Sequence, residues 1–131
     1  LGLTEVASLP TDFSDAQGAA ATRTLLSRPK ARRPTAIVYD NDLMAVAGLG
    51  VAAEMGVAVP RELSIVAFDD SVLTRIVHPA LTALTRDTFA LGQEVAEAVL
   101  AVIDDPTRRS DRKTPTPRLT VRESTAPPLA G

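Results

Sequence analysis

The chain has 131 residues, 45% of them apolar and 23% charged, ordinary proportions for one soluble globular domain with a modest core. A formal net charge of −2 argues against a surface built to neutralise nucleic-acid phosphates. No apolar run is long enough for a transmembrane helix, no secretory leader pattern is present, and the lack of cysteine excludes disulfides and thiolate metal sites. A cytoplasmic location fits that absence. Because the chain opens on Leu1 and runs at once into strand-like sequence, a piece of a longer polypeptide is expected.

In chain order, Glu5 to Leu9 reads as a short strand, followed by the polar break Pro10-Thr11-Asp12 and then Phe13. Ser14 with Gln17 three residues on is a capping-box pattern, opening an Ala-rich helix to about Leu26. Residues 29–34, with Lys30, Arg32 and Arg33, form an exposed connection. Ala36 to Tyr39 is a compact apolar strand. Asp40-Asn41-Asp42 then caps a helix from Leu43 to Met55, which Gly56 ends. Ser64 to Phe68 is a third strand, ending in Asp69-Asp70. Strands that are apolar on both faces and alternate with helices predict an α/β fold, with a parallel sheet flanked by helices in three layers and right-handed crossovers. Further on, Leu81 to Thr85 suits another strand. Thr88 to Asp104 is an amphipathic helix with Leu91, Val95, Val99 and Val102 on one stripe. Pro106 to Pro117 reads as a polar loop, Leu119 to Val121 as a last strand, and Ala126 to Gly131 as a frayed tail.

Ligands of open parallel sheets bind beyond the carboxyl ends of the strands, where this sequence puts Phe13, Asn41, Asp69 and Asp70. An aromatic face, a carboxamide and a carboxylate suit a polyol or a nucleobase. Asp69 would accept two donors, Asn41 both donates and accepts, and Phe13 would stack on an apolar sugar or base face. Plainer readings stand beside these. Asn41 or Asp42 suits a helix cap, Asp70 a turn, and Phe13 a staple at the helix start. Asp69 is the hardest to explain without a ligand, since a carboxylate after a buried strand needs a partner.

No catalytic residue is expected. The one histidine, His78, precedes Pro79 in a loop without an orienting Ser or Asp. The carboxylates Asp40, Asp42, Asp69 and Asp70 resemble the Mg²⁺ set of a phosphoreceiver, but no lysine follows a strand to meet a phosphoryl group. A glycine-rich phosphate loop is also missing, so neither metal nor cofactor is expected. The basic stretch Arg108, Arg109, Arg112, Lys113 and Arg118 is interrupted by Asp111 and lacks aromatics, which favours a solvated loop over a nucleic-acid patch.

The segments PTAIVYDNDLMAVAGLGVAAEMGVAVPRELSIVAFDDSVLTRIVHPALTAL, LTVRESTAPP and DFSDAQGAAATRTLL resemble the LacI/GalR family of transcription regulators, in order and spacing, over nearly the whole chain. The resemblance implies the C-terminal part of an effector-binding domain of periplasmic-binding-protein (type I) architecture, in which two α/β subdomains enclose the effector. Residues 1–86 would belong to the C-terminal subdomain. Residues 87–121 would be lent to the N-terminal subdomain, and 122–131 would be the return strand and tail. The DNA-binding headpiece is absent from this sequence, so operator DNA would be reached only through it. By position, the resemblance makes Asn41 an effector contact, Asp69 the main hydroxyl-binding carboxylate and Phe13 the stacking aromatic for a sugar-like effector. It assigns Leu43, Met44, Ala47, Val51, Ile76 and Leu81 to a homodimer interface. The function implied is effector sensing and dimerisation in a cytoplasmic regulator, a repressor by preference, with no membrane partner. The alternative is a ribose-binding-type solute-binding protein of a transporter, which shares the fold.

Overall fold

The computed structural model describes residues 6–107 and 115–127. Four helices and four strands follow in chain order: α1 (Asp15–Leu26), a 3-10 turn (Lys30–Arg32), β1 (Ala36–Tyr39), α2 (Asp42–Glu54), β2 (Ser64–Ala67), α3 (Leu73–Ile76), β3 (Thr82–Thr85), α4 (Thr88–Asp104) and β4 (Arg118–Thr120). The strands form one sheet in the order β1-β2-β3-β4. β1, β2 and β3 run parallel, and β4 lies antiparallel on β3 with Leu84 opposite Leu119. The expected α/β layering is borne out, with the addition of this antiparallel strand.

Helix ends follow the side chains. Ser14 accepts from the Gln17 N–H at 3.2 Å, but Gln17 does not close a simple capping box. Its Oε1 instead takes the Asp12 N–H, and the Ser14 N–H goes to Asp12 Oδ1. At the far end of α2, Gly56 sits at φ +67. There the Val57 N–H donates to Ala52 O at 2.8 Å and the Gly56 N–H to Ala53 O at 3.1 Å. This Schellman pair satisfies carbonyls that the helix leaves open.

The core is built from Leu26, Tyr39, Met44, Ala45, Leu49, Ala52, Leu63, Ile65, Ala67, Leu81 and Ala83. Tyr39 meets both helices on one face of the sheet. Its phenol shares a 2.7 Å hydrogen bond with Thr22 of α1, and its ring end sits where a Cβ on Gly48 of α2 would have to go. Gly18 plays the same part in α1, since a Cβ there would stand 2.8 Å from Met44. Burial pushes the Tyr39 phenol above its ordinary pKa, partly offset by the Thr22 hydrogen bond.

One expected strand is missing. Glu5 lies outside the described residues, and Val6 to Leu9 form no strand and are exposed. A strand exists only by pairing, and nothing among the described residues pairs with the open edge of β1. Val38, on the β1 face away from α1 and α2, is accordingly 64% exposed. Most of the Pro106–Pro117 loop and the end of the tail lie outside the described residues.

Candidate functional site at the carboxyl edge of the sheet

β1, β2 and β3 deliver Asn41, Asp69 and Arg86 respectively to one edge of the sheet, and the segment before α1 delivers Phe13. Asn41 is the cap of α2, so its Oδ1 accepts from the Met44 N–H at 2.8 Å. Its Nδ2 is then left to donate to Phe13 O, also at 2.8 Å. Capping and site-building are therefore one role, because the amide's two ends serve the helix and the loop.

Phe13 has φ +67, a left-handed backbone that a bulky L-residue adopts only at a cost of about 1–2 kcal/mol. Three groups hold it there. Asn41 grips its carbonyl, and on either side Asp12 Oδ1 accepts from the Ser14 N–H at 3.0 Å and the Ser14 hydroxyl at 2.5 Å. The Ser14 hydroxyl and N–H hold the Asp12 carboxyl below its ordinary pKa, so this tether persists in mild acid. The outcome is an aromatic ring left 59% exposed beside the start of α2.

Asp69 is exposed and has no hydrogen-bond or ion-pair partner among the described residues. Its neighbours Phe68 and Asp70 are both engaged. Arg86 lies over the Phe68 ring, 4.9 Å from its centroid, a cation–π contact linking the ends of β2 and β3. Asp70 turns inward, takes both carboxylate oxygens to Arg122 Nη2 at 2.9 and 2.8 Å, and accepts the hydroxyls of Thr74 at 2.7 Å and Thr85 at 2.6 Å. The Arg122 hydrogen bonds, helped by Thr85 and Thr74 and opposed by burial, hold this carboxyl far below the usual carboxylate range. The Asp-Asp pair is thus divided, with Asp70 locking the loop and Asp69 exposed and unpaired among the described residues.

Arg122 also donates to Leu81 O at 2.7 Å, pinning the segment that follows β4. Two residues on, Ser124 fills the gap where β2 and β3 diverge. Its backbone bonds Ala80 and Ile65, and its hydroxyl donates to Ile65 O at 2.6 Å while accepting from Thr82 N at 2.8 Å. Sequence reasoning placed Asp70 at the ligand edge or in a turn, and missed the Arg122 lock, Ser124 and the Phe68–Arg86 pair. An arginine directly after β3 was the available signal for the last of these.

The residues assigned to an interface separate in the structure. Met44, Val51 and Leu81 are buried in this chain's own fold and offer no surface to a partner. Met44 of α2 stands against Gly18 of α1, Val51 is buried on the same helix, and Leu81 lies in the core just before β3. Leu43 and Ile76 are exposed and Ala47 half-buried, near a groove formed by Val46, Leu49, Ala53 and Val77. Among the described residues, no group of three or more His, Cys, Asp or Glu is placed to hold a metal ion, and no helix is long and apolar enough to cross a membrane.

Comparison with known proteins agrees with the fold. Residues 1–125 match the periplasmic binding protein-like domain family. The HTH-type transcriptional repressor PurR of Escherichia coli O139:H28 is 33% identical over 115 residues, which are 88% of this chain and 33% of that protein. The chain thus spans about a third of the length of the curated relatives it matches. A LacI family transcriptional regulator from Bifidobacterium animalis subsp. lactis superposes with a TM-score of 0.85 at 43% identity, covering 92% of this chain and 44% of that one. The regulator CelR in complex with cellobiose gives a TM-score of 0.77 at 34% identity, over 86% of this chain and 34% of that one. A LacI family regulator from Enterococcus faecium with bound ribose gives 0.76 at 31%, over 91% and 43%. This chain belongs to the periplasmic binding protein-like domain family, and its relatives there are the effector-binding domains of LacI-family regulators.

Proposed function

We propose that this chain is the effector-sensing and dimerising portion of a LacI-type transcription regulator, a repressor without catalytic activity, whose effector is a sugar or a related small molecule. The carrying observation is the edge itself. Asn41 fixes Phe13 in a left-handed backbone with its ring exposed, while the carboxylate of Asp69, at the same edge of the sheet, has no hydrogen-bond or ion-pair partner among the described residues. In this reading Phe13 stacks on the apolar face of the ligand, Asp69 accepts its hydroxyls, and Asn41 keeps the two in place. Two relatives hold cellobiose and ribose, which supports a carbohydrate. The transporter alternative is not favoured, since the relatives are regulators.

The chain crosses to a second subdomain at Arg86-Asp87, lends it α4, and comes back through β4; the expectation that residues 119–121 go with α4 is not kept, since Leu119 and Thr120 pair with Leu84 and Ala83 of β3. An α4 without a single buried residue among those described supports this reading. A homodimer forms through the outer side of α2 and the α3 end, with Leu43, Ala47 and Ile76 at the contact, and the regulator works in the cytoplasm. Effector binding selects one orientation of the two subdomains, and operator affinity follows by a coupling of about 1–3 kcal/mol.

The test is thermal unfolding of the regulator that carries this chain, against a panel of monosaccharides, disaccharides, polyols and purines. A carbohydrate that raises the Tm of the wild type and leaves Asp69→Ala unmoved is the expected result. Equal shifts in both proteins would remove Asp69 from the site, and a shift with purines alone would replace the sugar by a nucleobase.

A further inference from the structure

The opposite end of the sheet carries a cavity that the effector reading does not use. It opens beside Thr35, just before β1, and Ser64, at the start of β2, and has a volume of about 190 Å³. Leu26, Val57 and Pro60 line its apolar part. Around them stand three cations, Lys30, Arg33 and Arg61, against the single carboxylate of Glu62.

These charges are not equally engaged. Glu62 accepts the Ala58 N–H at 3.1 Å and has Lys30 at 3.7 Å, so the carboxylate is already met. Arg33 is half-buried, and its Nε donates to Arg28 O at 3.0 Å, which orients the guanidinium. Its terminal nitrogens make no hydrogen bond among the described residues, and neither does the Arg61 side chain. An apolar floor beside one oriented guanidinium, Arg33, and a second exposed one, Arg61, is a setting for an amphiphilic anion, since the planar fork matches a carboxylate. Size narrows the class further. An enclosed apolar cavity of about 150 Å³ takes benzene, so this cleft, open to solvent on one side, has room for a single ring or a branched alkyl group with its carboxylate.

We propose that this cavity is a second small-molecule site, taking a small organic carboxylate of benzoate size, with its apolar body on Leu26, Val57 and Pro60 and its carboxylate on Arg33 and Arg61. The site stands apart from the Phe13–Asn41–Asp69 edge and does not depend on that assignment.

The test is an amide-resolved NMR titration of the chain with sodium benzoate at constant ionic strength, with benzyl alcohol as the neutral probe of the same shape. Saturable shifts at Thr35, Glu62 and Ser64 are expected with benzoate, and weaker binding with the alcohol. Arg61→Gln and Arg33→Gln should each weaken benzoate about tenfold, as loss of a charge-assisted hydrogen bond does. Arg61 is exposed, so its variant leaves the fold intact even if Arg33→Gln loosens the loop. Asp69→Ala should bind benzoate as the wild type does. Weakening in either arginine variant supports the site. Shifts that never saturate, equal binding of the alcohol, or unchanged affinity in both variants would overturn it.

Discussion

α2 and α4 are both helices rich in apolar residues, yet the fold treats them oppositely. α2 buries Met44, Ala45, Gly48, Leu49, Val51 and Ala52, whereas α4, longer at 17 residues, buries none. Phe89 and Ile103 of α4 are 77% and 69% exposed. Helical stability in proteins comes mostly from packing an apolar face, so the difference marks where this chain supplies its own cover. Around the inner sides of α2 that cover comes from α1, Tyr39 and the strands, while Leu43, Gly50 and Ala53 stay exposed on its outer side. Around α4 the described residues supply no such cover, in keeping with the proposal that this helix is lent to a second subdomain. Substitutions in the two regions should therefore differ sharply in cost.

The largest effect is expected at the lock that closes the well-packed region. Asp70→Ala leaves Arg122 without its carboxylate, with the two side chains only 8% and 17% exposed in the intact pair. Removing one partner of a buried pair costs about 3–5 kcal/mol, and urea unfolding at neutral pH measures it. The same pair predicts acid sensitivity. Asp70 has a lowered folded-state pKa, so its contribution is fully present above the unfolded value of about 3.9 and is lost as pH falls below it. Wild-type stability should fall progressively below about pH 5 and still be falling at about pH 2, and the variant should show a shallower drop. Parallel slopes would mean that another carboxylate governs acid unfolding.

A smaller loss is expected at Gly48→Ala. Its new Cβ would collide with the Tyr39 phenol and crowd Thr22 Oγ1 at 3.1 Å. Overpacking of this kind costs about 1–3 kcal/mol, lessened by the better helix propensity of alanine. If the double variant with Tyr39→Phe recovers much of the loss, the collision with the phenolic oxygen is its cause.

Much of the well-packed region was legible in the sequence, because its signals are local. The β1 run of Ala36 to Tyr39, the cap of α2 and Gly56 each act within a few residues, and the structure keeps all three, with Asn41 rather than Asp42 as the cap. The α4 stripe was legible for the same reason. What failed depends on distant partners. Val6 to Leu9 has strand composition but finds no strand to pair with among the described residues. The Asp70–Arg122 lock joins positions 52 residues apart, with no periodicity to connect them. At the candidate site the residue types were readable, but the Asn41 bond that fixes Phe13, and the division of labour between Asp69 and Asp70, arise from tertiary geometry.

The smallest effect is expected on α4, and its smallness sharpens the contrast. Val99 lies on the apolar stripe and is exposed, so Val99→Gln removes no buried contact within this chain. The chain alone should change by less than about 0.5 kcal/mol, read as an almost unmoved Tm. In a regulator whose second subdomain covers α4, the same substitution exchanges a buried valine for an amide with no assured partner, and should cost about 1–3 kcal/mol. Unfolding of both forms side by side separates the two cases. A large loss in the chain alone, depending on protein concentration, would mean that a second copy already covers the stripe. Sedimentation of the variant would then show a lighter species than the wild type. A large loss independent of concentration would place the cover of α4 within the chain itself, and the contrast with α2 would be gone.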